Sequence, residues 1–157
     1  VRIAVISDTH GYRSTINKLV EIVKKYDLLL HLGDNIRDFY DIKKLSGVDG
    51  YAVVGNTDIG SKGEETLHVE IEGKKIMLTH GHKFDVKWNV DNLSYYCEEH
   101  GIDLALFGHS HVNSINEVNR TLYVNPGSPV LPRGGSKPSY ASVEIKDNKI
   151  YVEIINL

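Results

Sequence analysis

Seven residues able to donate to a metal ion fall directly after apolar runs of strand length. Asp8 and His10 follow Ile3-Ala4-Val5-Ile6, and Asp34 follows Leu28-Leu29-Leu30-His31-Leu32. Asn56 follows Tyr51-Ala52-Val53-Val54, and His80 follows Ile76-Met77-Leu78. His109 and His111 follow Leu104-Ala105-Leu106-Phe107. In open α/β sheets ligands sit at the carboxyl ends of strands, so donors at five such ends predict a two-metal hydrolytic site. Asp8-Thr9-His10 spaces a carboxylate and an imidazole so that both can address one ion. Asp34 lies behind Gly33, which permits close backbone approach, and its two oxygens can bridge two cations. Asn56, behind Gly55, offers a neutral amide oxygen, and Gly108-His109-Ser110-His111 supplies two imidazoles for different metals of a pair. A nitrogen and oxygen donor set without thiolate suits Mn²⁺, Fe, Zn²⁺, Co²⁺ or Ni²⁺ better than a cysteine-built structural zinc site.

The elements that must position these residues can be read from periodicity. Val1 to Ser7 has the pattern of a buried strand. Ile16, Leu19, Val20 and Val23 recur at helical spacing, with Ser14 as the expected cap. A strand over Leu28 to Leu32, a short helix over Arg37 to Leu45 and a strand over Tyr51 to Val54 continue the alternation. Such a succession implies parallel strands with right-handed crossovers. Leu67, Val69 and Ile71 then alternate with polar residues, and Glu72-Gly73-Lys74 turns into Lys75 to Thr79, which reads as a hairpin. Val90, Leu93 and Cys97 mark a helix with Gly101 as its C-cap, followed by a strand over Asp103 to Phe107. The remainder, Ile115 to Val118, Leu122 to Val124, Ser139 to Ile145 and Lys149 to Ile155, reads as an antiparallel tail. The expected fold class is α/β, with two packed mixed β-sheets flanked by helices in an α/β/β/α sandwich. One domain over residues 1–157 is expected, because no linker, repeat or low-complexity tract interrupts the chain.

Composition narrows the class of protein. The 157 residues are 41% hydrophobic and 25% charged, with a net charge of −3, as in ordinary globular chains. That charge argues against a stable nucleic-acid complex or attachment to an anionic membrane. Cys97 is the sole cysteine, so no intrachain disulfide forms and a reducing compartment fits. No apolar segment reaches the roughly 18 residues of a membrane span. A strand-like start without a signal-type segment makes a cytoplasmic location the default expectation.

Asp8-x-His10, Gly33-Asp34, Gly55-Asn56, His80 and Gly108-His109-x-His111, in that order, resemble the calcineurin-like metallophosphoesterase superfamily. The short length and Asn125-Pro126-Gly127-Ser128 resemble its small YfcE-type phosphodiesterase branch. The resemblance covers nearly the whole chain. It implies that Asp8, His10 and His111 hold one metal, that Asn56, His80 and His109 hold a second, and that Asp34 bridges them about 3.5–4 Å apart. Two divalent ions are implied, manganese foremost, with nickel, cobalt, zinc or iron as alternatives. The implied reaction is in-line attack on phosphorus by a hydroxide held between the metals, with Asp34 and Asn56 as catalytic residues.

One departure bears on the leaving group. Many phosphatases of the superfamily carry His after the Gly-Asn pair, where this chain has Thr57. A Thr hydroxyl is a poor acid near neutral pH, so a proton-transfer contribution of roughly 10²–10⁴-fold must come from elsewhere or be absent. His82 and Asp58 are the nearest substitutes on the substrate side. His31 reads as a core histidine, His68 as outward-facing and His100 as a helix-end residue. The Asn-Pro-Gly-Ser segment reads as a turn supporting the site. The expected activity is a phosphodiesterase acting on a small phosphoester, with nucleotides among the candidates. A phosphomonoesterase and a nucleotide pyrophosphohydrolase are the alternatives within enzymes. A non-catalytic interaction scaffold, as in a retromer subunit whose fold this one resembles, is the competing class; here every ligand position keeps a competent donor. Homo-oligomerisation through the β-rich half is left open.

Overall fold

The computed structural model describes residues Val1–Leu157. The first half contains β1 (Arg2–Ile6), α1 (Arg13–Val23), β2 (Leu28–His31), α2 (Ile36–Ser46) and β3 (Gly50–Ala52). It continues through β4 (Thr66–Ile71), β5 (Lys74–Thr79), α3 (Asp91–His100) and β6 (Leu104–Leu106). Two hairpins close the chain, β7 (Ser114–Val118) with β8 (Thr121–Asn125), and β9 (Ser139–Lys146) with β10 (Lys149–Asn156).

These strands form two five-stranded sheets, ordered β10-β9-β1-β2-β3 and β4-β5-β6-β8-β7. Strands β1, β2 and β3 pair in parallel, as do β5, β6 and β8. Each parallel set therefore sends its carboxyl ends to one edge, where the candidate donors lie.

Alternation along the strands explains the layers. Ile3, Val5 and Leu30 of the first sheet pack with Ile76, Leu78, Leu104 and Leu106 of the second in the core between the sheets. The intervening residues Ala4, Ile6 and Leu29 face outward onto Ile16, Leu19 and Val23 of α1 and Phe39 and Ile42 of α2. Met77, Ala105 and Tyr123 face outward from the second sheet onto Leu93 and Cys97 of α3. Strands covered on both faces need continuous apolar runs, hence the sequences Ile3-Ala4-Val5-Ile6 and Leu104-Ala105-Leu106. The α/β/β/α sandwich expected from the sequence is the observed architecture. No helix is long and apolar enough to cross a membrane.

Two expectations need correction. Ser14 is not the cap of α1. The helix begins at Arg13, Tyr12 occupies the cap position, and no side chain bonds the free amides there. The final strands are also not one antiparallel tail. β7 and β8 join the second sheet, where β8 runs parallel to β6, while β9 and β10 join the first sheet beside β1. Both hairpins turn through paired left-handed residues, Asn119-Arg120 and Asp147-Asn148, which match the twist of antiparallel ribbons. Local pattern specifies each hairpin but not the sheet that accepts it.

The packing of α3 makes a chemical prediction. Cys97 is fully buried against Met77, and burial pushes its thiol up to about 11. Thiolate is the reactive species, so Ellman's reagent at pH 8 should label native protein at least ~100-fold more slowly than urea-unfolded protein. Equal rates would show that α3 does not cover this face.

Candidate metal centre

Four of the seven donors predicted from strand ends converge, and His80 and His109 adjoin them. One ligand atom from each of Asp8, His10, Asp34 and His111 lies within 4.8 Å of every other. His10 Nε2 and His111 Nε2 face each other at 3.4 Å, and His111 Nε2 lies 3.2 Å from Asp8 Oδ1. His80 adjoins this group, its Nε2 lying 3.4 Å from Asp34 Oδ2 and 3.8 Å from Asp8 Oδ1. The His109 ring centre is 5.1 Å from that of His80. Asn56 stays exposed on the neighbouring loop, and the next residue, Thr57, donates its backbone N–H to Asp34 Oδ1.

Hydrogen bonds on the far side of the imidazoles set which nitrogen faces the centre. His80 Nδ1 donates to Leu32 O and His111 Nδ1 donates to Leu131 O, both at 2.7 Å. A carbonyl can only accept, so each neutral ring turns the lone pair of Nε2 inward, as in metal-binding histidines. Asp8 Oδ1 and His80 Nε2 are consequently buried with no hydrogen-bond partner. Lone pairs this close demand positive charge between them. Burial alone lowers the pKa of His80 and of His111, yet carboxylate contacts with Asp34 and Asp8 outweigh it and raise both. Burial likewise opposes ionisation of Asp34, but contacts from His80 and Thr57 hold its carboxyl well below the usual range. A proton can meet part of this demand; divalent cations fit the whole mixed donor set.

Backbone geometry at these residues is unusual. Asp8, His10, Asp34, His109 and His111 all have positive φ, between 50° and 71°. For residues with a Cβ this costs roughly 1–2 kcal/mol each, and Asp and His are among the types that tolerate it best. Close approach of the loops is the second requirement. Gly33, with φ +97°, passes so near the next loop that a Cβ would lie 2.6 Å from Gly55 N. A Cβ on Gly108 would overlap Ser7 Oγ and come within 2.7 Å of Asp8 Oδ2.

Buried polar side chains hold the strained loops. His31 accepts from Gly33 N–H at Nδ1, so its Nε2–H donates to Thr9 Oγ1, joining the Asp34 and Asp8–His10 segments. Burial lowers the His31 pKa to about 4, which keeps the ring neutral and preserves this tautomer. Asp38 accepts from Gly11 N–H just beyond His10. Asn125 donates to Gly108 O and Ser110 Oγ, while Ser128 donates to Asp8 O and accepts from Val130 and Leu131. The Asn-Pro-Gly-Ser turn therefore ties the Asp8 loop to the His109–His111 loop. No motif in the sequence marks Asp38, whose partner Gly11 lies in the loop between β1 and α1.

The substrate-side candidates separate. Asp58 Oδ2 accepts backbone N–H groups of Asp34 and Gly55, and Oδ1 accepts those of Asn35 and Ile36. Its carboxylate thus caps α2 from another loop and clamps the Asp34 and Asn56 segments together, which gives it a positioning part rather than a free acid's. His82 is half-buried, with its ring 5.5 Å from His80 and 6.1 Å from His109. Thr57 is exposed. His68 and His100 lie elsewhere, paired with Tyr96.

Asp58→Asn should be costly, because either orientation of the amide turns its NH₂ onto two N–H donors. Urea unfolding should show a loss of about 2–4 kcal/mol, accompanied by weaker Mn²⁺ binding. Wild-type stability in this variant would show that the four bonds contribute nothing.

Comparison with known proteins gives a consistent assignment. Residues 1–148 match the calcineurin-like phosphoesterase superfamily domain. The chain is 33% identical over 153 residues to the probable metallophosphoesterase YsnB of Bacillus subtilis, covering 94% of this chain and 86% of that protein. It is 28% identical over 145 residues to the phosphodiesterase MJ0936 of Methanocaldococcus jannaschii, covering 81% and 83% of the two chains. A crystal structure of a conserved uncharacterized protein from Streptococcus pneumoniae, described as a predicted phosphoesterase, superposes with a TM-score of 0.85 at 34% identity. That match covers 99% of this chain and 88% of the other. With donors converging at strand ends and a family match over nearly its whole length, the chain belongs to the calcineurin-like phosphoesterase superfamily.

Proposed function

We propose that this phosphoesterase is a binuclear metal-dependent phosphodiesterase formed by one domain over residues 1–157. The observation that carries the reading is the cluster of Asp8, His10, Asp34 and His111 donor atoms within 4.8 Å, with His80 directed at the same carboxylates. Asp8, His10 and His111 would hold one divalent ion, Asn56, His80 and His109 the other, and Asp34 would bridge. Manganese suits these nitrogen and oxygen donors. Ions so held would supply Lewis acidity and lower the pKa of a bound water.

The chain's own residues determine the rest. His80 and His111 are oriented by Leu32 O and Leu131 O, so they need no reorganisation to present Nε2. Asn56 is exposed on the loop whose next residue, Thr57, bonds Asp34, and its amide would meet a phosphoryl oxygen. Thr57 has no proton to lend near neutral pH. Asp58 is committed to four backbone amides. His82 has a pKa lowered by burial and by His80, so it is largely unprotonated at pH 7. A site with no ready acid favours esters whose leaving groups depart as anions, and the diesterase relative MJ0936 accords with this preference. Retention of a competent donor at every ligand position supports an enzyme over a scaffold.

Metal content gives the direct test. Mn²⁺-reconstituted protein should hold two ions per chain and hydrolyse bis(p-nitrophenyl) phosphate, and chelation should abolish the activity. Asp34→Ala should reduce occupancy of both sites. A stoichiometry of one that is indifferent to Asp34→Ala would remove the bridging assignment.

Leaving-group dependence gives the second test. Rates across a series of aryl and alkyl esters should fall steeply with leaving-group pKa, and Thr57→His should flatten that slope. Alkyl monoesters cleaved as fast as p-nitrophenyl diesters in the wild type would reveal an acid at the site.

A further inference from the structure

A cavity of about 430 Å³ opens beside the metal centre, between the loop that follows Asp34 and the loop that follows Asn56. His10 and Thr57 form its boundary with the centre. Both also approach Asp34, His10 through Nε2 at 3.9 Å and Thr57 through its backbone N–H at 3.1 Å. A phosphoester seated on the predicted ligands would have this space for its non-reacting portion.

The lining has a distinct chemistry. Arg37 is its permanent cation, and Ile59 its one hydrophobic residue. Arg37 stands in the first turn of α2, where positive charge opposes the helix dipole. No carboxylate of the chain pairs with it, whereas Arg13 is neutralised by Asp41 at 3.3 Å. Asp58 also lines the cavity, but its oxygens are each occupied by two backbone N–H groups. Arg37 is thus an exposed lining residue whose guanidinium has no internal partner. Its planar fork matches carboxylate and phosphate oxygens. No Phe, Tyr or Trp lines the space, and its one ring, His10, is turned toward Asp34 and His111, so a nucleobase would find little stacking surface there.

We infer that this cavity is a subsite for a second anionic group, with Arg37 its specificity-determining residue. The substrate class is a small, polar phosphoester carrying a further phosphate or carboxylate away from the scissile phosphorus. The inference rests on the phosphoesterase reading of the adjoining centre and adds which esters that centre is built to select.

Two compounds of similar length test it: glycerol 3-phosphate, with one anionic group, and 3-phosphoglycerate, which adds a carboxylate. Each would be measured as an inhibitor of bis(p-nitrophenyl) phosphate hydrolysis by the Mn²⁺-loaded protein. Each would also be titrated into that protein by calorimetry. The wild type should prefer 3-phosphoglycerate by ~10-fold or more, the size of one charge-assisted contact. Arg37→Gln should erase the preference, and Arg13→Gln, which removes an already paired arginine, should keep it. Equal binding of the two compounds by the wild type would overturn the subsite, as would an Arg37→Gln variant that retains the preference. Failure to hydrolyse the diester would instead count against the phosphoesterase reading, while the calorimetric preference would still decide the subsite.

Discussion

Asp8 and Asp34 are carboxylates with solvent exposures of 0% and 3%, and much of the structure answers the problem of keeping them there. Removing such anions from water costs several kcal/mol apiece unless charge and hydrogen bonds replace the lost solvent. The chain provides only part of that replacement. Ser7 Oγ and His109 N–H serve Asp8 Oδ2, and Thr57 N–H serves Asp34 Oδ1. Asp8 Oδ1 keeps no donor, and it is the oxygen that faces the imidazoles. The deficit is therefore concentrated at one point, where a bound cation would complete the balance.

That arrangement dictates the backbone around it. Carboxylates and imidazoles from separate strands can converge only if the chain turns sharply as each strand ends, and the left-handed conformations of Asp8, His10, Asp34, His109 and His111 are those turns. Their combined strain is of order several kcal/mol. It is tolerated because the two sheets bury large apolar surfaces on both faces and because the turns are cross-bonded. His31, Asp58, Asn125 and Ser128 each join two segments that are distant in sequence. Function and stability are consequently in opposition at the strand ends and in agreement everywhere beneath them.

In the proposed enzyme the same loops would separate holding a metal from recognising a substrate. The Asp34 and Asn56 segments are drawn together by Asp58, and the space they leave outside the clamp is the cavity that receives Arg37. Positioning residues with saturated hydrogen bonds lie beneath the centre, and groups with spare bonding capacity lie toward solvent. This ordering explains why Asp58, close in sequence to Asn56, contributes to architecture, whereas Arg37, outside the recognised motifs, is available to a ligand.

The sequence by itself determined the apolar strands and the presence of Asp, His and Asn residues at their ends, because strand alternation and the placement of polar residues after apolar runs are local signals. The two sheets and the convergence of Asp8, His10, Asp34 and His111 followed from those signals together with the family resemblance. It could not determine which sheet accepts each terminal hairpin, since alternation identifies a buried face without naming its partner. Nor could it show that Asp58 is consumed by four amides or that Arg37 lacks a carboxylate, because both depend on neighbours brought from other loops. The start of α1 differs from the sequence expectation for a related reason: Ser14 has the right chemistry for a cap, but the turn after His10 commits the helix two residues earlier, with Tyr12 at the cap position. Residue types declare what chemistry is available, and only tertiary structure decides which of those groups are already satisfied and which remain free to act.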